Sequence, residues 1–90
     1  MNLSEITKTM KELENWSLED NTIVKISEFK DFKEALDFVN KVGEIAEKHG
    51  HHPDIIINYN KVRLILTTHS SGGLTEKDFE VAKEIDSLPD

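Results

Sequence analysis

His51, His52 and His69, with the carboxylates Glu47 and Asp78 in the same stretch, are the residues of this chain whose types and spacing could do chemistry. A free imidazole titrates at about pH 6.5, so it can both give and take a proton in neutral water. Glu47 falls one helical turn before His51, near enough to orient it or raise its basicity. The same nitrogens could instead bind zinc, with His49 and Asp54 completing a set of His49, His51, His52, His69 and Asp54. Adjacent side chains such as His51 and His52 tend to point apart, and the helix-plus-turn spacing of zinc enzymes is absent, so no metal is expected. Each residue also has a plainer role open to it. His49 suits the cationic end of a helix, Glu47 a solvated helix face, Asp78 the acidic half of a capping box, and Tyr59 and Trp16 packing.

The run Glu47, three residues, His51-His52-Pro53, five residues, Tyr59, nine residues, His69, eight residues, Asp78 resembles the pterin-4a-carbinolamine dehydratase family. The resemblance extends to Trp16, to Phe29-Lys30-Asp31-Phe32 ahead of a helical stretch, and to Asn58-Tyr59-Asn60-Lys61-Val62 as a hairpin. Nearly the whole chain is covered. Gly50 stands where many members carry an acidic residue, and Lys77 where some carry Arg, which keeps the charge and loses a bidentate donor. The resemblance implies a lyase that removes water from a 4a-hydroxytetrahydropterin to give the quinonoid dihydropterin. His51, His52, His69 and Glu47 would be catalytic. Gly50, His51, His52, Pro53, Thr67, Thr68, His69, Ser70, Lys77 and Asp78 would bind the pterin. The reaction protonates a departing hydroxyl while a ring nitrogen pushes electrons in and loses its proton. Imidazoles suit both transfers, and no metal or redox cofactor is required. Because some family members act as dimerisation partners of transcription factors, a non-enzymatic partner-binding module is the alternative.

Ninety residues suggest one domain, spanning 1–90. A chain this short buries only about 60–65% of its unfolded surface, so a homodimer or homotetramer is expected. The 18 acidic residues outnumber 11 basic ones, a net charge of −7 that disfavours direct nucleic-acid binding and an anionic membrane. No apolar run approaches the roughly 18 residues of a membrane span, and the first residues lack the pattern of a signal peptide. The absence of cysteine suits a reducing cytoplasm.

The elements that must position these residues follow from periodicity. Ser4 is placed to cap a helix with Ile6, Met10 and Leu13 on one side. Trp16 opens a strand, and the turn Glu19-Asp20-Asn21 leads into Thr22–Ser27, making a hairpin. Asp31 and Glu34 form a capping box for a helix that Gly50 stops. Its stripe is Phe32, Ala35, Leu36, Val39, Val42 and Ala46, with Phe38 and Ile45 off it as a second packing surface. Ile55–Tyr59 and Val62–Thr68 form a hairpin around Asn60-Lys61. That loop would set Tyr59 opposite Val62, Ile57 opposite Leu64 and Ile55 opposite Leu66, bringing His52 level with His69. Leu64 and Leu66 then face the core, and Arg63, Ile65 and His69 face away. Thr75 and Asp78 cap a last helix that buries Phe79, Ala82 and Ile85. The expected fold is α+β in two layers, a four-stranded antiparallel sheet from two hairpins with helices on one face, in the order α-β-β-α-β-β-α.

Overall fold

Asp31 and Gly50 bound the longest element, as their chemistry requires. The Asp31 carboxylate accepts from the N–H of Glu34 at 2.9 Å as an N-cap, without the reciprocal Glu34 bond of the expected capping box, and Gly50 leaves the helix in the left-handed region, φ 60° and ψ 31°. The computed structural model describes residues 1–89. Its elements are α1 (Leu3–Met10), β1 (Trp16–Glu19), β2 (Thr22–Glu28), α2 (Phe32–His49), β3 (Asp54–Asn58), β4 (Lys61–Leu66), a 3-10 turn (His69–Ser71) and α3 (Glu76–Asp86). The four strands form one antiparallel sheet in the order β1-β2-β4-β3, so the fold is the expected α+β arrangement of two hairpins and three helices.

Period-2 alternation decides which sheet face is covered. Ile23, Val62, Leu64 and Leu66 are fully buried, with Ala35, Val42 and Ile45 of α2 and Phe79, Ala82 and Ile85 of α3 in the same core. The neighbouring row Ile26, Arg63 and Ile56 faces away, and Ile26 and Ile56 are exposed.

Three local expectations are corrected. Asn2, not Ser4, caps α1. Its side chain accepts from Glu5 N at 2.8 Å while Glu5 Oε1 accepts from Asn2 N at 3.0 Å, a capping box that places Ser4 inside the first turn. On α2 the buried face is Ala35, Val42, Ile45 and Ala46, with Phe38 and Val39 half-covered. Phe32 and Leu36 are exposed on the flank. Positions 35, 38, 39, 42, 45 and 46 follow the i, i+3, i+4, i+7 spacing of one stripe centred on Val42, which faces both the sheet and α3. The second packing surface is met within the chain, because Phe38 lies against Phe29 with ring centroids 4.9 Å apart.

The third correction is the register of β3 and β4. Tyr59 and Asn60 form the loop, so Asn58 pairs with Lys61, Ile57 with Val62 and Ile55 with Leu64. The pairing is displaced by two residues, which preserves every side-chain face but leaves His52 no longer level with His69. Tyr59 sits at φ 55°, a backbone region that a bulky residue seldom takes. Asn60 fixes the turn by donating Nδ2 to Phe29 O while its own carbonyl accepts from Phe29 N, both at 2.8 Å. Tyr59 is therefore exposed rather than packed. Trp16 is buried as expected, and its Nε1 donates to Asp86 Oδ1 at 2.9 Å.

Candidate functional site

The end of α2 aims the first imidazole. Gly50 N donates to Glu47 O at 3.2 Å and His51 N to Ala46 O at 3.1 Å, the paired bonds of a Schellman closure. This fixes His51 against the helix end, and three residues, His51 to buried Pro53, carry the chain into β3. Proline holds the preceding His52 in extended backbone.

His51 Nε2 lies 2.5 Å from Oδ1 of Asp78. Asp78 is the third residue of α3 and is completely buried. Its Oδ2 accepts from Thr75 N at 2.9 Å and from Thr68 Oγ1 at 2.8 Å. A buried carboxylate without donors would cost several kcal/mol, roughly the penalty for an unpaired interior charge; here three donors meet it. Thr68 ends β4's extension and bridges Gly73, with N–H to carbonyl bonds in both directions at 3.1 and 3.3 Å. That bridge closes the short loop carrying His69, which is exposed at the start of the 3-10 turn. Thus the end of α2, the end of β4 and the start of α3 converge on one carboxylate.

Glu47 serves a different imidazole from the one expected. Its Oε2 pairs with His52 Nε2, and both side chains are exposed. Five residues of helix end and turn bring His52, rather than His51, back over Glu47. Water screens such a pair, which orients the ring more than it stabilises the fold. His49 turns to α3, where its Nε2 lies 2.8 Å from Glu84 Oε1, and Lys48 Nζ lies 3.1 Å from Oε2. The hydrogen bond from His49, then that from Lys48, holds the Glu84 carboxyl below its ordinary range.

His49, His51 and His52 therefore address three separate carboxylates, Glu84, Asp78 and Glu47. Among the described residues no three histidine, aspartate or glutamate side chains are placed to hold one metal ion. The zinc set considered from sequence is not assembled.

Of the other residues expected to touch a ligand, Ser70 and Lys77 are exposed. Thr67 Oγ1 donates to Asn21 O at 2.7 Å, tying β4 to the β1–β2 turn. Thr68 Oγ1 is committed to Asp78. The joint use of Asp78 by His51 and Thr68 is the feature sequence reasoning missed. Its only trace was the Thr75-to-Asp78 spacing, which a capping box explains fully. Two clefts of the single chain lie away from the imidazoles, one of about 450 Å³ between α1 and α3 and another of about 540 Å³ beside Lys25, Phe29 and Phe38, and a third of about 450 Å³ takes in Thr75 and Lys77. None of the three contains an imidazole, so the candidate site is located by its chemistry.

Fold and side chains together define a small α+β protein with histidine–carboxylate pairs grouped at one end of the long helix. The family model described as pterin 4 alpha carbinolamine dehydratase matches residues 1–88. A Sulfolobus acidocaldarius protein provisionally named pterin-4-alpha-carbinolamine dehydratase is 48% identical over 85 residues, covering 94% of this chain and 93% of its own. A Trichormus variabilis protein of the same provisional name is 52% identical, covering 94% and 91%. The crystal structure of a transcriptional coactivator/pterin dehydratase from Brucella melitensis superposes with a TM-score of 0.92 at 34% identity, over 97% of this chain and 95% of that one. The chain belongs to the pterin 4 alpha carbinolamine dehydratase family.

Proposed function

We propose that the chain is a dehydratase that eliminates water from a 4a-hydroxytetrahydropterin by histidine acid–base catalysis, acting as one domain over residues 1–90 in the cytoplasm. The observation that carries this reading is the His51–Asp78 pair. A carboxylate can only accept, so His51 Nε2 carries the hydrogen and Nδ1 keeps the lone pair. Asp78 fixes that tautomer and favours the imidazolium formed when Nδ1 takes a proton, as an orienting carboxylate does for a catalytic base.

In the elimination the C4a–O bond breaks with its electrons going to oxygen, and His69 supplies the proton that makes the leaving group water. The lone pair of a ring nitrogen forms the new C=N bond, and the proton on that nitrogen passes to His51 Nδ1. Both imidazoles return to their starting states through solvent. His52, braced by Pro53 and Glu47, positions the pterin, with Gly50, Ser70 and Lys77 at the rim. The test is turnover by chelator-treated protein, corrected for spontaneous dehydration. Acceleration is expected, whereas activity lost on chelation and restored by zinc would replace this mechanism with a metal-based one.

The chain also self-associates in this reading, as a dimer or a tetramer of paired dimers. Strand β3 is a sheet edge with the uncharged stretch Ile55-Ile56-Ile57, and an open β edge of this kind invites pairing. The exposed Ile26, Ile56 and Tyr59 support a partner-binding role beside catalysis. Sedimentation showing a monomer at high concentration would remove it.

A further inference from the structure

We propose that Thr68 is a positioning residue for His51, its hydroxyl holding the Asp78 carboxylate rather than the substrate. Thr68 has one hydroxyl hydrogen, and Asp78 Oδ2 at 2.8 Å is an acceptor for it. The 2.8 Å contact between Thr68 Oγ1 and Thr75 Oγ1 must then run from Thr75 to Thr68. The result is a directed chain: Thr75 hydroxyl to Thr68 hydroxyl to Asp78, met on the other oxygen by His51 Nε2. Each link polarises the next.

Two consequences follow from this geometry. Thr68 and Thr75 N hold Oδ2, which leaves Oδ1 turned toward the imidazole. Thr68 also draws part of the carboxylate's charge away from His51. Without that hydroxyl the buried charge faces the ring more fully and holds the imidazolium more firmly. The same residue precedes His69 and is bonded in both directions to Gly73, so it ties the His69 turn to the carboxylate that orients His51. Other titratable groups at this end of the molecule, Glu47, His52, Asp54, His69, Glu76 and Lys77, are exposed and screened by water. The His49–Glu84 pair lies on the adjoining α2–α3 contact.

The role given to His51 rests on the proposed dehydratase function, and the test is chosen to separate the two. Thr68→Val keeps the shape and removes the donor, and Thr68→Ser keeps the donor. The titration of the His51 ring, followed by NMR without substrate, should move to higher pH in Thr68→Val by about half a unit or more. Thr68→Ser should follow the wild type. In turnover, Thr68→Val should lower kcat and move the acid limb of its pH profile upward, with KM changed by less than about twofold. Should Thr68→Val fail to fold, Thr75→Val removes the next link and should give a smaller shift of the same sign. An unshifted His51 titration in the folded variants overturns the proposal, as does a raised KM with unchanged kcat, the mark of a hydroxyl that binds substrate. A shifted titration in a protein that dehydrates no pterin sustains the Thr68 assignment and removes the dehydratase function.

Discussion

His51 Nε2 and Asp78 Oδ1 stand 2.5 Å apart, joining the end of α2 to the first turn of α3 through a carboxylate with no solvent exposure. The same Asp78 satisfies the Thr75 backbone N–H, so helix capping and orientation of the imidazole are one interaction set. The orientation of His51 and the capping of α3 cannot be changed independently at this position.

Asp78→Asn tests that coupling. The amide keeps an acceptor but removes the charge that favours the imidazolium, and its NH2 group confronts donors on one side. The expected result is a fall in kcat of about 10²-fold, within the range for general acid–base catalysis. Stability should drop by roughly 1–3 kcal/mol for a buried polar mismatch. Steady-state kinetics and urea unfolding measure the two effects separately.

The imidazoles should differ in kinetic role. His51→Ala and His69→Ala should each lower kcat by about 10²-fold or more, whereas His52→Ala should chiefly raise KM. His49→Ala should leave both nearly unchanged, because its ring is engaged with Glu84. If His52→Ala abolishes kcat while the other two variants retain it, the proton chemistry belongs to the exposed His52–Glu47 pair.

Glu84 predicts a pH dependence away from the site. His49 and Lys48 lower its folded-state pKa from the ordinary 4.5. A depressed carboxyl contributes stability that is fully present above the unfolded value and lost as pH falls through the folded one. Glu84→Gln should therefore flatten the stability profile below about pH 4.5 and leave the dependence near neutrality to other groups. The carboxylate is partly open to water, so the change is small. Urea midpoints from pH 3 to 6, roughly the window either side of that value, measure it. Identical profiles for variant and wild type would count against the His49–Lys48–Glu84 contact.

Sequence pattern revealed the elements because their signals are local. Asp31 and Gly50 marked the ends of α2, β-branched runs marked the strands, and the His51-His52-Pro53 run marked the candidate site. The register of β3 and β4 was not legible, since Tyr59 adopts a left-handed backbone that residue type argues against and that Asn60 imposes by bonding to Phe29. Glu47 was matched with His51 because one helical turn separates them, but the chain leaves the helix at Gly50 and brings His52 around instead. The buried Asp78 junction was invisible because each of its bonds to His51 and Thr68 spans ten or more residues.

A second, largely covered junction predicts a purely structural effect. Asp86 accepts from Lys25 Nζ at 2.6 Å, Trp16 Nε1 at 2.9 Å and Glu14 N at 2.9 Å, fastening α3 to the first hairpin. Lys25 and Asp86 are largely covered, so removing Asp86 takes away the counter-charge of Lys25 and leaves its ammonium only the Glu14 carbonyl at 3.1 Å. Asp86→Ala should destabilise the protein by about 3 kcal/mol, with kcat and KM of the folded fraction unchanged. Urea unfolding with parallel kinetics checks this.

Two isoleucines separate folding from self-association. Ile45 is 6% exposed and packs in the core, so Ile45→Lys buries an unpaired charge and should cost at least about 3 kcal/mol. Ile56 is 50% exposed at the centre of the free β3 edge, where a lysine side chain reaches water. A lysine on an open edge also disfavours strand pairing between copies. Ile56→Lys should retain the far-UV spectrum and the unfolding midpoint of a dilute sample while lowering the sedimentation coefficient of a concentrated one. If Ile56→Lys sediments as the wild type does and Phe32→Lys dissociates it, the contact between copies lies on the exposed flank of α2 instead of the β3 edge.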